Sequence, residues 1–319
     1  MAIKTAAQAQ APARARRRMS RQTRRGLITG LLFISPWVLG FLLFTLYPML
    51  ISLVYSFSEV KFNKPLKFIG LANYVGLFQD VRFWRSLGNT GYIVGIAVPL
   101  QLLASFICAL LLNIRVKGQA FYRVLYYLPA IVPAVASTLL WYWLLRADDG
   151  LVNHLLGLLG IQGPLWINSP QWSKPSLVLL GLWGLGGTMV IYLAGLQDVP
   201  QSLYESAELD GAGWLRRLWH ITIPLISSIT LFNLVIGVID AFQYFSPAYV
   251  VGRLATANSL GAPQDSTLFY ALLLYDKLVN KFQIGQASAM AWILFVIILF
   301  CTLIILRSSK RWAYYEDAT

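Results

Sequence analysis

The chain has 319 residues, of which 57% are hydrophobic and only 12% are charged, and its mean hydropathy is +0.62. Soluble domains carry about 25% charged residues and lack long uncharged apolar stretches. Here such stretches reach the roughly 20 residues that a helix needs to cross a bilayer. The composition excludes an ordinary soluble protein and predicts one membrane domain with tails and loops.

The net charge of +13 would also fit a nucleic-acid-binding protein. However, the arginines between Arg14 and Arg25 directly precede an apolar run from Leu27 to Val54, which is typical of a positive-inside membrane anchor. That run is much longer than the apolar part of a signal peptide, about 7–15 residues, and no small-x-small cleavage site follows it. We therefore expect an uncleaved first span, a lipid membrane as partner and no nucleic acid.

Six apolar segments predict an all-α, polytopic fold with six transmembrane helices. Because the number of spans is even, both termini lie on one side of the membrane, and the basic segments 1–26 and Arg115 to Arg123 place that side inside. We expect a cytoplasmic tail at 1–26, a membrane domain at 27–308 and a second cytoplasmic tail at 309–319. The predicted spans are residues 27–56, 90–113, 121–145, 176–197, 223–250 and 287–307.

The inner loop 198–224 carries the strongest local signals. Asp198 and Pro200 are typical of a helix start, and Gly211 can end that helix because glycine adopts the left-handed conformation at little cost. A second short helix, from about Trp214 to Trp219, then leads to Pro224 at the next span. The pattern predicts a compact pair of helices facing the cytoplasm. The alternative is an ordinary amphipathic connection with solvated acids.

This loop resembles the EAA loop of binding-protein-dependent ABC importer permeases, whose pattern is Glu-Ala-Ala, three residues, Gly, nine residues, Ile-x-Leu-Pro. The sequence departs from the pattern at Ser206 and Ile223, both of which preserve size. The resemblance implies that the loop couples the membrane domain to an ATP-binding subunit. The residues that match, including those of an extended Asp-Gly-Ala form, are Glu205, Ala207, Asp210, Gly211, Ala212, Ile221 and Pro224.

Further similarity to permeases of maltose and glycerol-phosphate systems lies in the segments Trp183 to Gln197, Asn233 to Phe245 and Ala289 to Leu294. It implies the type I importer fold and a sugar or sugar-like solute. It also implies a second homologous permease, a dimeric ATP-binding subunit and an extracytoplasmic solute-binding protein. The implied location is the cytoplasmic membrane of a bacterium or archaeon.

Asp240 is the acidic residue that falls inside a predicted span. A charge at the bilayer centre costs at least about 2.5–3.5 kcal/mol on insertion scales, so this carboxylate should face a cavity or a partner. Asn233, Gly237, Asp240 and Tyr244 share one helical face, with Gln243 at its edge. An amide, a carboxylate and a phenol suit a hydroxyl-rich ligand. The alternative is polar adhesion between packed helices.

Gly184 and Gly187 on the fourth predicted span permit close approach of a ligand or of a neighbouring helix. Residue chemistry alone favours helix packing for both glycines. The family resemblance, by contrast, implies substrate contacts on the fourth and fifth spans. We therefore include both glycines among the candidate substrate-pathway residues.

No enzymatic or cofactor motif is present in the sequence: HExxH, GxSxG, metal-ligand spacing and the GxxxxGK[ST] phosphate loop are all missing. We expect a non-enzymatic chain without a cofactor of its own, with ATP and Mg²⁺ bound by the partner ATPase. The alternatives are a self-sufficient secondary transporter or channel for a small polar solute, and a membrane scaffold. A secondary transporter would more often show internal repeats and several intramembrane charges.

Overall fold

The computed structural model describes residues 21–61, 64–114, 117–255 and 260–314. Three predicted features lie partly outside these ranges: the basic tail up to residue 20, the inner connection at 115–116 and the C-terminal tail at 315–319. The chain divides into two compact units, Met1–Ser52 and Leu53–Thr319. The predicted division into two tails and one membrane domain stays a prediction.

Helices dominate the described residues, and one antiparallel hairpin pairs Ser58 with Phe68 and Glu59 with Lys67. The strands are β1 (Ser58–Glu59) and β2 (Lys67–Phe68). The α-helices are α1 (Arg21–Phe41), α2 (Tyr47–Ser56), α3 (Ala72–Gln79), α4 (Val81–Tyr92), α5 (Val98–Asn113), α6 (Gln119–Ile131), α7 (Ala134–Leu144), α8 (Leu151–Leu158), α9 (Ser173–Trp183), α10 (Gly186–Asp198), α11 (Gln201–Leu209), α12 (Trp214–Arg217), α13 (Ile223–Leu225), α14 (Ser227–Phe242), α15 (Ser246–Ala255), α16 (Tyr270–Tyr275) and α17 (Ile284–Ser309). The π-helical segments are Leu42–Leu46, Ile93–Ala97, Leu218–Thr222 and Asp276–Asn280.

Four helices are long and apolar enough to cross a membrane, namely Arg25–Ser56, Val81–Asn113, Ser227–Leu254 and Ile284–Ser309. Two bent pairs pass the same test together, α6 with α7 and α9 with α10. The described residues therefore hold between four and six candidate spans. The helical fold class is confirmed, whereas the count of six and the N-in/C-in topology stay predictions.

Three of the π-helical segments end two residues before a proline, at Pro48, Pro99 and Pro224. A proline inside a helix lacks an N–H and clashes with the carbonyl four residues earlier. Widening the preceding turn relieves that clash: the N–H that follows each segment bonds the carbonyl five residues back, as from Val98 to Ile93. The wider turn lets the helix pass a proline without breaking.

The third predicted span is not one straight helix, because α6 and α7 meet at 98°. Pro133 disfavours helical geometry at the residue before it, and Val132 is extended with φ −67° and ψ 130°. The fourth predicted span bends by 47° between α9 and α10, around Gly184 and Leu185. Both predicted spans thus contain a break that apolarity alone did not reveal.

Charged side chains from three segments, all in loops predicted to face outward, meet in the second unit. This charged cluster consists of Asp80, Arg82, Arg85, Asp265, Asp276, Lys277 and Lys281. Arg82 Nη2 lies 3.3 Å from Asp265 Oδ1, and its Nη1 lies 3.7 Å from Asp276 Oδ2. Lys277 Nζ, on a side chain only 7% exposed, donates to Asp80 Oδ2 at 3.0 Å. The cluster ties the start of α4 to the segments that precede α16 and α17.

The two aspartates bound to lysine have lowered pKa values. Burial alone would raise the pKa of Asp80, but the hydrogen bond from Lys277, the backbone N–H of Arg82 and both positive charges outweigh it. Burial also opposes ionisation of Asp276, and hydrogen bonds from Asn280 and Lys281 reverse that effect and lower the pKa. Both carboxylates are therefore ionised at neutral pH and stabilise the folded chain.

Replacing Asp80 with Asn tests the charged cluster. Asn keeps the helix cap at the start of α4 but removes the charge that faces buried Lys277. We expect a loss of about 2 kcal/mol, less than the cost of breaking a fully buried pair because Asp80 is about a third exposed. The measurement is the midpoint of thermal unfolding of the purified protein in detergent.

The stabilisation that Asp80 provides is expected to disappear in acid. Ionised Asp80 stabilises the folded chain fully above the ordinary aspartate pKa of about 3.9, and this contribution is lost as pH falls through the lowered pKa. The gap between wild type and Asp80→Asn should close in that acidic range. Glu59→Gln, which breaks an exposed pair with Lys61, is the control and should leave the midpoint unchanged. Equal midpoints for all three proteins at neutral pH would contradict the prediction.

Candidate functional site: a cavity between helices and an inner loop

A cavity of about 390 Å³ lies between α5, α9, α10 and α14, a volume within the range of small-molecule sites. Its walls are mostly apolar, and a few polar groups project from three of the helices. The residues that line it are Ile93, Ala97, Val98, Gln101, Leu102, Leu177, Gly181, Gly187, Thr188, Ile191, Phe232, Asn233, Ile236, Gly237, Asp240, Ala241 and Tyr244.

The predicted face of α14 lies along this cavity: Asn233, Gly237 and Asp240 line it together with Tyr244, just beyond the end of the helix. These residues are brought together by the 3.6-residue period of the helix. Gly187 lines the cavity from the facing helix α10. That a solute contacts them stays a prediction.

Two other candidate residues lie outside the lining. Gly184 caps the C-terminus of α9 at the break before α10. Gln243 follows the end of α14 and is exposed. Gly184 is a candidate through the family resemblance and Gln243 through its place at the edge of a predicted helical face, and both fall where the regular helix has ended.

The polar groups of the cavity are incompletely hydrogen-bonded within the described chain. Asn233 is only 5% exposed, yet its Nδ2 has no partner there, and neither does the buried Tyr244 hydroxyl. A buried donor without a partner costs about 1–3 kcal/mol, so such groups call for an explanation. The Asp240 side chain is exposed to the cavity. Of these groups, the carboxylate faces the cavity directly, whereas the amide nitrogen and the hydroxyl are buried in its wall.

The inner loop forms the expected pair of helices, with one correction at its start. Asp198 ends α10 and does not cap the next helix; Pro200 holds the cap position of α11 because the backbone is extended at Val199 and Pro200. Gly211 has φ +75°, as the predicted helix end requires. The Ala212 N–H then donates to the Ala207 carbonyl at 2.8 Å.

Two side-chain bonds join α11 to the helical segment that follows Gly213. The Tyr204 and Thr222 hydroxyls lie 2.9 Å apart, and Arg217 Nη1 pairs with Glu208 Oε1. Thr222 is 5% exposed, so the first bond anchors the loop at the base of the next long helix. These bonds hold the two helical parts of the loop together.

The predicted coupling residues lie within this pair of helical segments or directly beside it. Glu205 and Asp210 are exposed, whereas Ala207, Ala212 and Ile221 are half-buried. Pro224 falls in α13, on the path into α14. Two large apolar side chains of the loop are also exposed: Leu209 is 91% exposed and Trp214 is 62% exposed. An exposed apolar surface of this kind is typical of a docking site.

Comparison with known proteins shows the family of the chain. Residues 101–313, more than half of the chain, match the family described as "Binding-protein-dependent transport system inner membrane component". The chain belongs to this family of ABC importer permeases. It is 41% identical over 300 residues to the probable ABC transporter permease protein YesP of Bacillus subtilis, covering 93% of this chain and 96% of that protein.

A second relative is the sulfoquinovosyl glycerol transport system permease protein SmoG of Agrobacterium fabrum, 32% identical over 88% of this chain and 90% of that protein. Among solved structures, a bacterial alginate ABC transporter in complex with a pentasaccharide-bound periplasmic protein has a similar fold, with a TM-score of 0.76 at 24% identity. The match covers 90% of this chain and 95% of that chain. The importer-permease fold is thereby confirmed.

Sequence reasoning missed several residues of the permease's two sites. Gln101 and Thr188 add an amide and a hydroxyl to the cavity from α5 and α10. Tyr204, directly before the loop motif, and Glu208, inside it, are not part of its pattern. The sequence predicts that both residues lie on the first helix of the loop. It does not predict their partners beyond Gly213, because those contacts depend on how the loop folds back.

Within the described ranges of the permease, no group of three or more His, Cys, Asp or Glu side chains could hold a metal ion. The expectation that the chain binds no cofactor of its own stays a prediction.

Glycine-to-alanine variants distinguish a glycine that helix packing requires from a glycine that only lines the cavity. A Cβ on Gly186 would lie 2.5 Å from the Tyr126 carbonyl oxygen, a backbone atom that cannot easily move, whereas a Cβ on Gly187 meets open space. We expect Gly186→Ala to lower the thermal midpoint and the yield, and Gly187→Ala to fold like wild type. Overpacking of this kind costs about 1–3 kcal/mol. Equal midpoints for the two variants would contradict the assignment of Gly186 to helix packing.

Proposed function

We propose that this permease is the transmembrane subunit of an ATP-driven importer that moves a sugar or sugar-like solute inward across the cytoplasmic membrane. The observation that carries the proposal is the cavity, because polar groups without partners line an otherwise apolar space inside a membrane-protein fold. Hydroxyl-rich solutes can supply those partners, since each hydroxyl both donates and accepts.

The energy comes from a separate chain. The braced loop 198–224, with Leu209 and Trp214 exposed, suits insertion into a cleft of an ATP-binding subunit. A second, homologous permease completes the path, and a dimeric ATPase docks one copy on each loop. ATP binding closes the ATPase pair and opens the cavity outward; hydrolysis returns it inward.

A solute-binding protein delivers the sugar at the outer face. Support comes from the solved alginate transporter, which was captured with its periplasmic protein, and from the sugar-containing solute of the Agrobacterium relative. The alginate carried by the solved transporter is an acidic polysaccharide. The charge of the solute is therefore a question that membership of the family leaves open.

Reconstitution tests the function as a whole. The permease should copurify in mild detergent with an ATP-binding subunit and a second permease encoded near it. Proteoliposomes holding that complex and the cognate binding protein should take up a radiolabelled oligosaccharide only when ATP is enclosed on the inner-loop side. Uptake by the chain alone, without ATP, would instead support the secondary transporter.

The coupling role of the loop is tested by a pair of valine substitutions. Valine at Gly211 must adopt φ +75°, which strains a β-branched residue, whereas Gly213 has φ −67° and open space around its Cβ. We expect Gly211→Val to reduce sugar transported per ATP hydrolysed at least tenfold, and Gly213→Val to behave like wild type. The measurement is uptake and phosphate release in the same proteoliposomes. Unimpaired coupling in Gly211→Val would contradict the role of the loop.

A further inference from the structure

We propose that the cavity selects uncharged, hydroxyl-rich solutes, and that Asp240 is the residue that excludes sugar acids and sugar phosphates. This inference rests on the proposed function, because it takes the cavity to be the path of the solute. It goes beyond that function by fixing the charge class of the sugar.

The first observation is the charge of the cavity wall. Of the residues that line the cavity in the described part of the chain, Asp240 alone carries a full charge at neutral pH. Its side chain is exposed to the cavity, and no cation of the described residues lies within ion-pair distance of its carboxylate. The wall that this subunit contributes is therefore negative.

The second observation concerns Lys174, a cation of the same helix, α9, that contributes Leu177 to the lining. It lies one helical turn before Leu177, which is part of the lining. Its Nζ donates to Asn89 Oδ1 at 3.2 Å and lies 5.1 Å from the centre of the Tyr92 ring. The Nδ2 of Asn89 in turn donates to the Leu268 carbonyl at 3.0 Å. The ammonium group is thus held by Asn89 and Tyr92, and it forms no ion pair with Asp240.

The third observation is the complementarity of the remaining polar groups. A hydroxyl can donate a charge-assisted hydrogen bond to the Asp240 carboxylate. The Gln101 amide and the Thr188 hydroxyl of the lining can exchange further hydrogen bonds with the same sugar. Asn233 Nδ2 and the Tyr244 hydroxyl, which have no partner in the described chain, are buried in the same wall. A neutral polyol therefore suits the polar groups of this wall.

An anionic solute meets the opposite situation. Two like charges a few ångströms apart repel much more strongly between apolar helices than in water, because the surroundings screen them less. A uronate or phosphate would bring its charge into a space of about 390 Å³ that already holds a carboxylate. The predicted effect is discrimination of at least tenfold between a neutral sugar and its acid.

Matched pairs of ligands test this selection. The full complex is purified with its second permease and ATPase but without the binding protein, so that only the specificity of the cavity is measured. Dissociation constants are determined by calorimetry for galactobiose and digalacturonate, mannobiose and dimannuronate, and glycerol and glycerol phosphate. We expect the neutral member of each pair that binds to bind at least ten times more tightly than its acid.

Asp240→Asn keeps the size of the side chain and removes its charge. In this variant the preference for the neutral member should fall to about threefold or less. Asp149→Asn is the matched control, since it removes a carboxylate from an exposed pair with Arg146 far along the chain from the cavity residues. The control should keep the preference of the wild type.

Four other outcomes overturn the proposal, each in a different way. Equal binding of acid and neutral member by wild type refutes the charge selection and leaves the importer function standing. An unchanged preference in Asp240→Asn refutes the role of that residue. Loss of the second permease from the purified Asp240→Asn complex assigns the carboxylate to subunit pairing instead. Absence of binding for every pair, together with absence of ATP-dependent uptake, refutes the importer function itself.

Discussion

Backbone hydrogen bonding in a solvent without water is the constraint on which the rest of this fold depends. Every N–H and C=O inside the bilayer needs an internal partner, so the chain forms helices and departs from them only where another group can compensate. The prolines at positions 48, 99 and 224 follow this rule, because a widened turn precedes each of them. The break between α9 and α10 occurs beside the cavity, where irregular backbone is tolerated.

The two parts of the candidate site differ in how fully their polar groups are satisfied. On the inner loop, Tyr204 bonds Thr222 and Glu208 pairs with Arg217, so the segment has few ways to deform. In the cavity, Asn233 and Tyr244 keep donors without partners in the described chain. A stiff segment such as the loop suits the transmission of force. A cavity wall whose polar groups lack hydrogen-bond partners suits transient contact with a ligand. This difference in hydrogen bonding fits the two roles proposed for the loop and the cavity.

Local rules predicted much of this permease, and long-range contacts explain what they missed. The end of α11 at Gly211 follows from the conformational freedom of glycine, and the face from Asn233 to Tyr244 follows from the helical period. The pairing of Asp80 with Lys277 joins residues 197 positions apart, which no local pattern encodes. The bend at Pro133 was likewise hidden, because a proline in an apolar segment signals an irregularity without giving its angle.

The connection between the loop and the cavity has a mechanical consequence. The loop continues through Pro224 into α14, and backbone bonds from Ile226 to Thr222 and from Thr230 to Ile226 maintain the path. At a rise of 1.5 Å per residue, Asp240 lies about 20 Å from the start of α14. If α14 tilts by about 10° about its start at the loop, Asp240 moves sideways by roughly 3–4 Å. Under the proposed coupling, a helix of this length would convert a small rotation at the loop into a displacement of about the length of a hydrogen bond.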